Sequence, residues 1–198
     1  MILEKTAITE FYTAGSALAM LYGRLYLAGD NMGHILVLNK HLETTGTVVL
    51  TGNSPTPMPK ATKADIEAAV VVQHKNKDKL MLIGSGSHPP YRNNAWIINS
   101  TGQTVRIDLT TFYDRIKSLG IKELNIEGAA ALPGHILLSN RGNKTFPQNQ
   151  LIITSADFWE NQATAEINIK NIGPVQTAEH FSGVSGMDYS ILTGSLLL

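Results

Sequence analysis

The chain has 198 residues, 43% of them apolar, and carries sixteen basic against sixteen acidic residues for a formal net charge of zero. A chain of this size and hydrophobicity builds one sizeable core or one repeat array, while balanced charge offers no basic field for nucleic acid and no acidic disordered tail. The absence of cysteine excludes disulfides and thiolate-bound metals. Glu4, Lys5 and Glu10 interrupt the first twenty positions, and the longest apolar runs are of strand length. The expectation is therefore a cytoplasmic chain without membrane contact, a cleaved leader being the alternative.

In chain order, Ile2, Leu3 and Ile8 are expected to supply the outer strand of the last structural unit. Four short runs follow: Ser16-Ala17-Leu18-Ala19, Leu25-Tyr26-Leu27-Ala28, Ile35-Leu36-Val37-Leu38-Asn39 and Thr47-Val48-Val49-Leu50. The second ends in a polar tip, Gly29-Asp30-Asn31, where Asp30 reads as turn chemistry. The stretch from Gly52 to Lys63 is an extended proline-rich linker, and Lys60 and Lys63 near its end are candidate anion contacts.

The same four runs return in Ile66 to Ala69, Leu80 to Ile83, Ala95 to Asn99 and Val105 to Asp108, with residues 74–79 as a polar turn. This unit's tip, GSGSHPPYRNN from Gly84 to Asn94, offers glycine backbone that can approach a ligand and the guanidinium fork of Arg92. It is not a dinucleotide fingerprint, since Pro89 stands where a third glycine belongs, and it lacks the lysine of a phosphate loop. One helix is expected, from Thr110 to Leu119, with Leu109, Phe112, Tyr113, Ile116 and Leu119 on one face, capped by Asp108 or a threonine and stopped by Gly120. It would pack over the array as a lid or rim. The third unit contains Ile126 to Ala129, a Pro133-Gly134 turn, Ile136 to Leu138, a tip of Ser139-Asn140-Arg141-Gly142-Asn143, Leu151 to Thr154 and Ala165 to Ile169. A fourth begins with Val184 to Met187 and reaches Ser195 to Leu198.

Four strands per unit, repeating every 55 to 60 residues, predict an all-β β-propeller of four-stranded blades. The blades cover about 11–52, 62–110 and 122–170, with 181–198 a partial fourth, so about three and a half blades are present, with the helix between blades two and three. An incomplete ring leaves an exposed blade edge. The chain is then expected to be part of a longer propeller, or to pair with a second copy through that edge.

Inner strands of blades line a common channel, so Glu67 and Glu127, at matching positions, should converge there, with Asp188 near the equivalent place in the fourth unit. Carboxylates sharing one channel repel unless a cation or arginines separate them. One solution is a hard metal, calcium above all, on Glu67, Glu127 and Asp188 with Asn125 or Asn140. Another is a network with Arg92 and Arg141. A third is plain structural pairing between blades. Serine-hydrolase elbows are absent, because Gly183-Val184-Ser185-Gly186-Met187 ends in the wrong residue, and the six histidines have no zinc spacing.

IEA at 66–68, GSGS at 84–87 with Arg92, LTTFYDRI, NIEGAA at 125–130, NRGN at 140–143 and SGVSGMDYS at 182–190 together resemble an uncharacterised family of bacterial propeller proteins, mostly of Bacteroidetes type. That family is distantly similar to esterase-like phytase and gluconolactonase-type propellers. The resemblance implies a longer protein, with metal and substrate held at the channel mouth by acidic and asparagine residues. The expected function is small-molecule binding, or metal-assisted ester or phosphoester hydrolysis, at a funnel where Glu67, Glu127, Arg92 and Arg141 would act on a small anionic molecule. Asn140, Asn143, Lys60 and Lys63 would bind it, and Glu67, Glu127 and Asp188 would hold calcium. The alternative is a non-enzymatic interaction module.

Overall fold

In a computed structural model, residues 6, 9, 12–52, 57–173 and 176–198 are described. The expected strand at Ile2, Leu3 and Ile8 and the middle of the proline-rich linker lie outside them. The first sheet contains β1 (Gly15–Leu21), β2 (Arg24–Gly29), β3 (His34–Leu38) and β4 (Thr44–Val49), paired antiparallel in chain order. The second repeats that order with β5 (Ile66–His74), β6 (Lys77–Gly84), β7 (Asn94–Ile98) and β8 (Thr104–Asp108). The third does so with β9 (Ile126–Leu132), β10 (His135–Asn140), β11 (Asn149–Ser155) and β12 (Ile167–Ile172), and a hairpin of β13 (Asp188–Ser190) and β14 (Ser195–Leu197) follows. Each full sheet holds one quartet of the sequence repeat.

Residue pattern explains each strand's place. Leu80, Met81, Leu82 and Ile83 of β6 are all fully buried, as a central strand covered on both faces requires. The fourth strands, β4, β8 and β12, expose polar residues along the edge, which discourages further pairing there. First strands stand side by side, β1 against β5, β5 against β9 and β9 against β13, so the sheets stack like blades around them. Tyr26, Ile35, Val37, Ile66, Leu80 and Trp96 fill the space between the first two sheets. The space between the second and third holds Met81, Ile83, Ile126, Leu138 and Ile152 together with the helix.

That helix, α1 (Thr110–Ser118), is a wedge rather than the expected lid. Leu109, Phe112, Tyr113 and Ile116 are fully buried, Phe112 lies 4.5 Å from the Phe158 ring, and Arg115 donates to the carbonyls of Gln162 and Ala165 at 2.7 and 2.8 Å, whereas Leu119, expected on the same face, is exposed because the helix ends at Ser118. Its start has no side-chain cap on the capping residue, Leu109. Asp108 instead accepts the Thr110 N–H at 2.8 Å. The polar turn of residues 74–79 is also shorter than expected. Lys75 and Asn76, at φ 51° and 59°, make a two-residue loop, and the charged residues beside them continue the strands. Two left-handed positions are what a tight hairpin with the native strand twist needs. Among the described residues no helix is long and apolar enough to cross a membrane.

One irregularity repeats. Pairing between first and second strands skips Ser16 between Gly15 and Ala17, and it skips Glu67 between Ile66 and Ala68. In the third sheet the skipped residue is Glu127, between Ile126 and Gly128. A bulge leaves its extra residue outside the ladder and re-aims its side chain. The equivalence of Glu67 and Glu127 seen in sequence is thus an equivalence of backbone defects.

Candidate functional site

Tips that follow the second strands gather at the end of the molecule where the first strands begin. Asp30, Ser85 and Arg141 each donate a backbone N–H to the residue preceding the first strand of their own sheet, Ala14, Asp65 and Asn125, at 3.0, 2.9 and 2.9 Å. Asp65 in turn donates to the Asp30 carbonyl and Ile126 to the Ser85 carbonyl, both at 2.9 Å, which ties each sheet to the next. These backbone bonds set the side chains of Asp30, Asp65, Ser85, Asn125 and Arg141 around the three bulges.

Asp65 is the centre of the network. Lys63 bridges Asp30 Oδ2 and Asp65 Oδ1, the latter at 2.5 Å. Arg92 Nη1 reaches Asp65 Oδ2 at 3.0 Å and donates to Ser87 Oγ at 2.8 Å, while Nη2 donates to the Lys60 carbonyl at 3.2 Å. Ser85 Oγ donates to Asp65 Oδ2 at 2.5 Å. Burial works to raise the Asp65 carboxyl, but the hydrogen bonds from Lys63 and Ser85 and the charges of Lys63 and Arg92 outweigh it and hold the group below its usual value. Lys63 is held above its ordinary value by Asp30 and Asp65, although burial pulls the other way. Two atoms are left over: Asp30 Oδ1 and Arg92 Nε are buried without a hydrogen-bond partner.

Glu67 has no such support. No ion pair within 4.0 Å involves it among the described residues. One oxygen each from Asp30, Asp65 and Glu67 nevertheless lie within 4.8 Å of one another. Burial, and then repulsion from Glu127, Asp65 and Asp30, push its carboxyl up to about 8. Glu127 accepts from Asn125 Nδ2 at 2.7 Å and faces Arg141 Nη1 at 3.6 Å. Burial still raises it, against the pull of Arg141 and Asn125.

The expected residues are brought together unevenly. Glu67, Glu127, Arg92 and Lys63 share this end of the molecule. The acidic cluster consists of Asp30, Asp65 and Glu67, in place of the expected Glu67, Glu127 and Asp188. Asp188 sits exposed in β13, lining a cavity of about 460 Å³ with residues 18–20, 69–71 and 129–131, several residues along the strands from the bulges. The side chain of Lys60 is exposed, and only its carbonyl enters the network. Arg141, with Ser87, Asn125 and Asn143, lines a second cavity of about 510 Å³. Asn140 and Asn143 are occupied in holding the third tip: Asn140 Oδ1 accepts from the Asn125 N–H at 2.6 Å, and Asn143 binds Glu123. Asp30 reads in sequence as turn chemistry before it reads as a ligand, and nothing local in the sequence singles out Asp65.

Residues 12–197 match the Family of unknown function (DUF6929). The chain belongs to this family. No curated protein matches its sequence. Among solved structures, apo AztD from Citrobacter koseri is similar at 11% identity and a TM-score of 0.33, over 88% of this chain and 38% of that one. The DUF6929 chain thus spans less than half the length of that protein.

Proposed function

We propose that the three sheets and the terminal hairpin are three blades and the start of a fourth in a β-propeller, and that the mouth of its channel binds a ligand through one cationic group set against Glu67. The observation that carries this is a charge mismatch. Four carboxyls, Asp30, Asp65, Glu67 and Glu127, face three cations, Lys63, Arg92 and Arg141, and the unmatched acid is Glu67. A proton on Glu67 balances the count when the site is empty, and a bound cation replaces it.

The donors suit a hard ion such as calcium, because Asp30, Asp65 and Glu67 offer carboxylate oxygens and Asp30 Oδ1 is buried without a hydrogen-bond partner. Asp30, Glu67 and the remaining capacity of Asp65 would hold the ion, which when bound would polarise an ester or phosphoester oxygen of a ligand. A divalent ion exceeds the deficit by one charge, so a small anionic ligand is its natural companion. Arg141, the most exposed of the three cations at 43%, is placed to meet that anion.

A second reading is favoured by Lys63, whose ammonium already sits between Asp30 of the first sheet and Asp65 of the second. On that reading the network only latches neighbouring blades. Thermal unfolding with added calcium or with chelator separates the two. Binding predicts a calcium-dependent rise in melting temperature that Glu67→Gln abolishes. An unchanged melting temperature, with calorimetry showing no heat of calcium binding, refutes the cation site and leaves the latch.

A further inference from the structure

A second cavity lies at the third sheet's tip, next to the one that Arg141 lines, with which it shares Lys122, Glu123 and Asn143. Lys122, Glu123, Asn140, Asn143, Phe146, Gln148, Gln150 and Gln176 are among the residues enclosing a cavity of about 340 Å³ there, a volume suited to one small molecule. Its one cation and one anion cancel, so neither an anion nor a cation is selected. What distinguishes the wall is its amides.

Three of those amides have one end fixed and the other free among the described residues. Gln148 Nε2 donates to the carbonyls of Asn149 and Ile172 at 2.9 and 3.3 Å, which leaves Oε1 as an acceptor. Gln150 Oε1 accepts from Asn140 Nδ2 at 3.0 Å, which leaves the Nε2 amide as a donor. Gln176 Oε1 accepts the Ser182 N–H at 2.6 Å, so its Nε2 is likewise a donor. An amide tied at one end cannot exchange its oxygen and nitrogen without losing that bond, so two donors and one acceptor are presented in a fixed pattern. Asn143 helps to build the wall without contacting a ligand: its Oδ1 takes the N–H groups of Thr145 and Phe146 at 2.8 and 2.9 Å, and its amide binds Glu123. This turn presents Phe146, whose ring also carries the Lys122 ammonium 5.6 Å from its centroid.

Neutral donors and acceptors beside an aromatic surface match a ligand that is uncharged, rich in hydroxyls and apolar on its C–H faces. We propose that this cavity is a carbohydrate site, taking a single sugar unit, with Gln148, Gln150 and Gln176 reading hydroxyls and Phe146 packing against the ring.

The test uses the whole chain and four probes, glucose, galactose, mannose and N-acetylglucosamine, in ligand-observed saturation-transfer NMR at ~10 mM, where millimolar binding is visible. At least one sugar is expected to receive saturation. Gln150→Glu keeps the oxygen that Asn140 needs and removes the donor, and Phe146→Leu keeps bulk and removes the flat ring. Each is expected to weaken binding about tenfold or more at an unchanged melting temperature. Glu67→Gln, at the other site, is expected to leave the signal unaltered. No saturation of any of the four sugars, or a signal that survives both substitutions, overturns the proposal.

Discussion

Glu67 and Glu127 occupy the same bulge in adjacent sheets, and their surroundings make them chemically different. Glu127 has an amide from the residue just before its own strand, Asn125, and an arginine from its own tip. The residue equivalent to Asn125 in the second sheet is Asp65, and the residue equivalent to Arg141 is Ser85. Each difference replaces a group that would stabilise the carboxylate with one that does not. The repeat therefore fixes where a side chain stands, and the two flanking positions decide whether it is an ion-paired carboxylate or an unsatisfied acid. The second sheet's own cations, Lys63 and Arg92, are drawn to Asp65 instead.

The largest effect should come from upsetting that allocation. Lys63→Met removes the charge shared by Asp30 and Asp65, whose side chains are 23% and 6% exposed, and leaves Asp65 with Arg92 alone. Removing one partner of a buried pair costs about 3 kcal/mol, to be read from urea unfolding at neutral pH. Asp65→Asn in the same background should recover part of the loss, because it removes the stranded charge. If Lys63→Met is as stable as the parent, Lys63 does not balance these carboxylates.

A second contrast concerns close approach. The residue after the bulge is Ala68 in the second sheet and Gly128 in the third. A Cβ on Gly128 would stand 2.7 Å from Ser139 Oγ and 2.8 Å from the Met187 backbone nitrogen. Since backbone cannot swing aside as a side chain can, Gly128→Ala should destabilise by about 2 kcal/mol and loosen the segment leading to β13. Amide hydrogen exchange should show faster exchange at residues 187–190 than in the parent. An unchanged exchange rate there would mean that Met187 does not depend on this contact.

The quartets of strands, the two-residue Pro133-Gly134 turn and the buried face of α1 were all legible in sequence, since each rests on local periodicity or turn chemistry. The match between Glu67 and Glu127 was legible for the same reason. Asp65 and Asp30 were not, because their roles arise from contacts across sheets: Lys63 leaves the linker to meet a tip more than thirty residues earlier in the chain. Asp188 stands apart from the acidic cluster because the fourth unit counts its repeat from Ser185, which puts Asp188 three residues further along than Glu127. Amphipathicity alone, which shows one buried face, makes α1 look like a lid, whereas Arg115 satisfies carbonyls on the side that the periodicity leaves open.

The contrast between the two glutamates can be sharpened by pH. The folded carboxyl of Glu67 lies at about 8, above the 4.5 of a free glutamate, so the folded state holds a proton that the unfolded state has released. Its contribution to stability is complete below pH 4.5 and is lost as the pH rises through 8. Discounted for solvent screening, that loss should amount to about 1 to 2 kcal/mol. Glu67→Gln should flatten this part of the stability profile, and calcium, if it binds, should flatten it in the parent. Glu127→Gln should leave most of the slope, since Glu127 has an arginine and an amide to hold its charge. Equal effects of the two substitutions would erase the distinction between the sheets.

The smallest effect is expected from the arginine that makes Glu127 different. Arg141 is 43% exposed and stands 3.6 Å from the carboxylate, whereas Arg92 is 15% exposed and touches Asp65 at 3.0 Å. Solvent weakens the Arg141 pair, so Arg141→Ala should cost only about 0.5 kcal/mol in electrostatics, plus whatever packing its stem provides against the backbone at Gly183. Its signature lies in titration: with Arg141 gone, Glu127 should be pushed further upward and begin to resemble Glu67, which carbon-detected NMR of the side-chain carboxyl can follow directly. If Glu127 titrates unchanged in Arg141→Ala, Asn125 alone holds its charge, and the difference between the two bulges reduces to one amide in place of one acid.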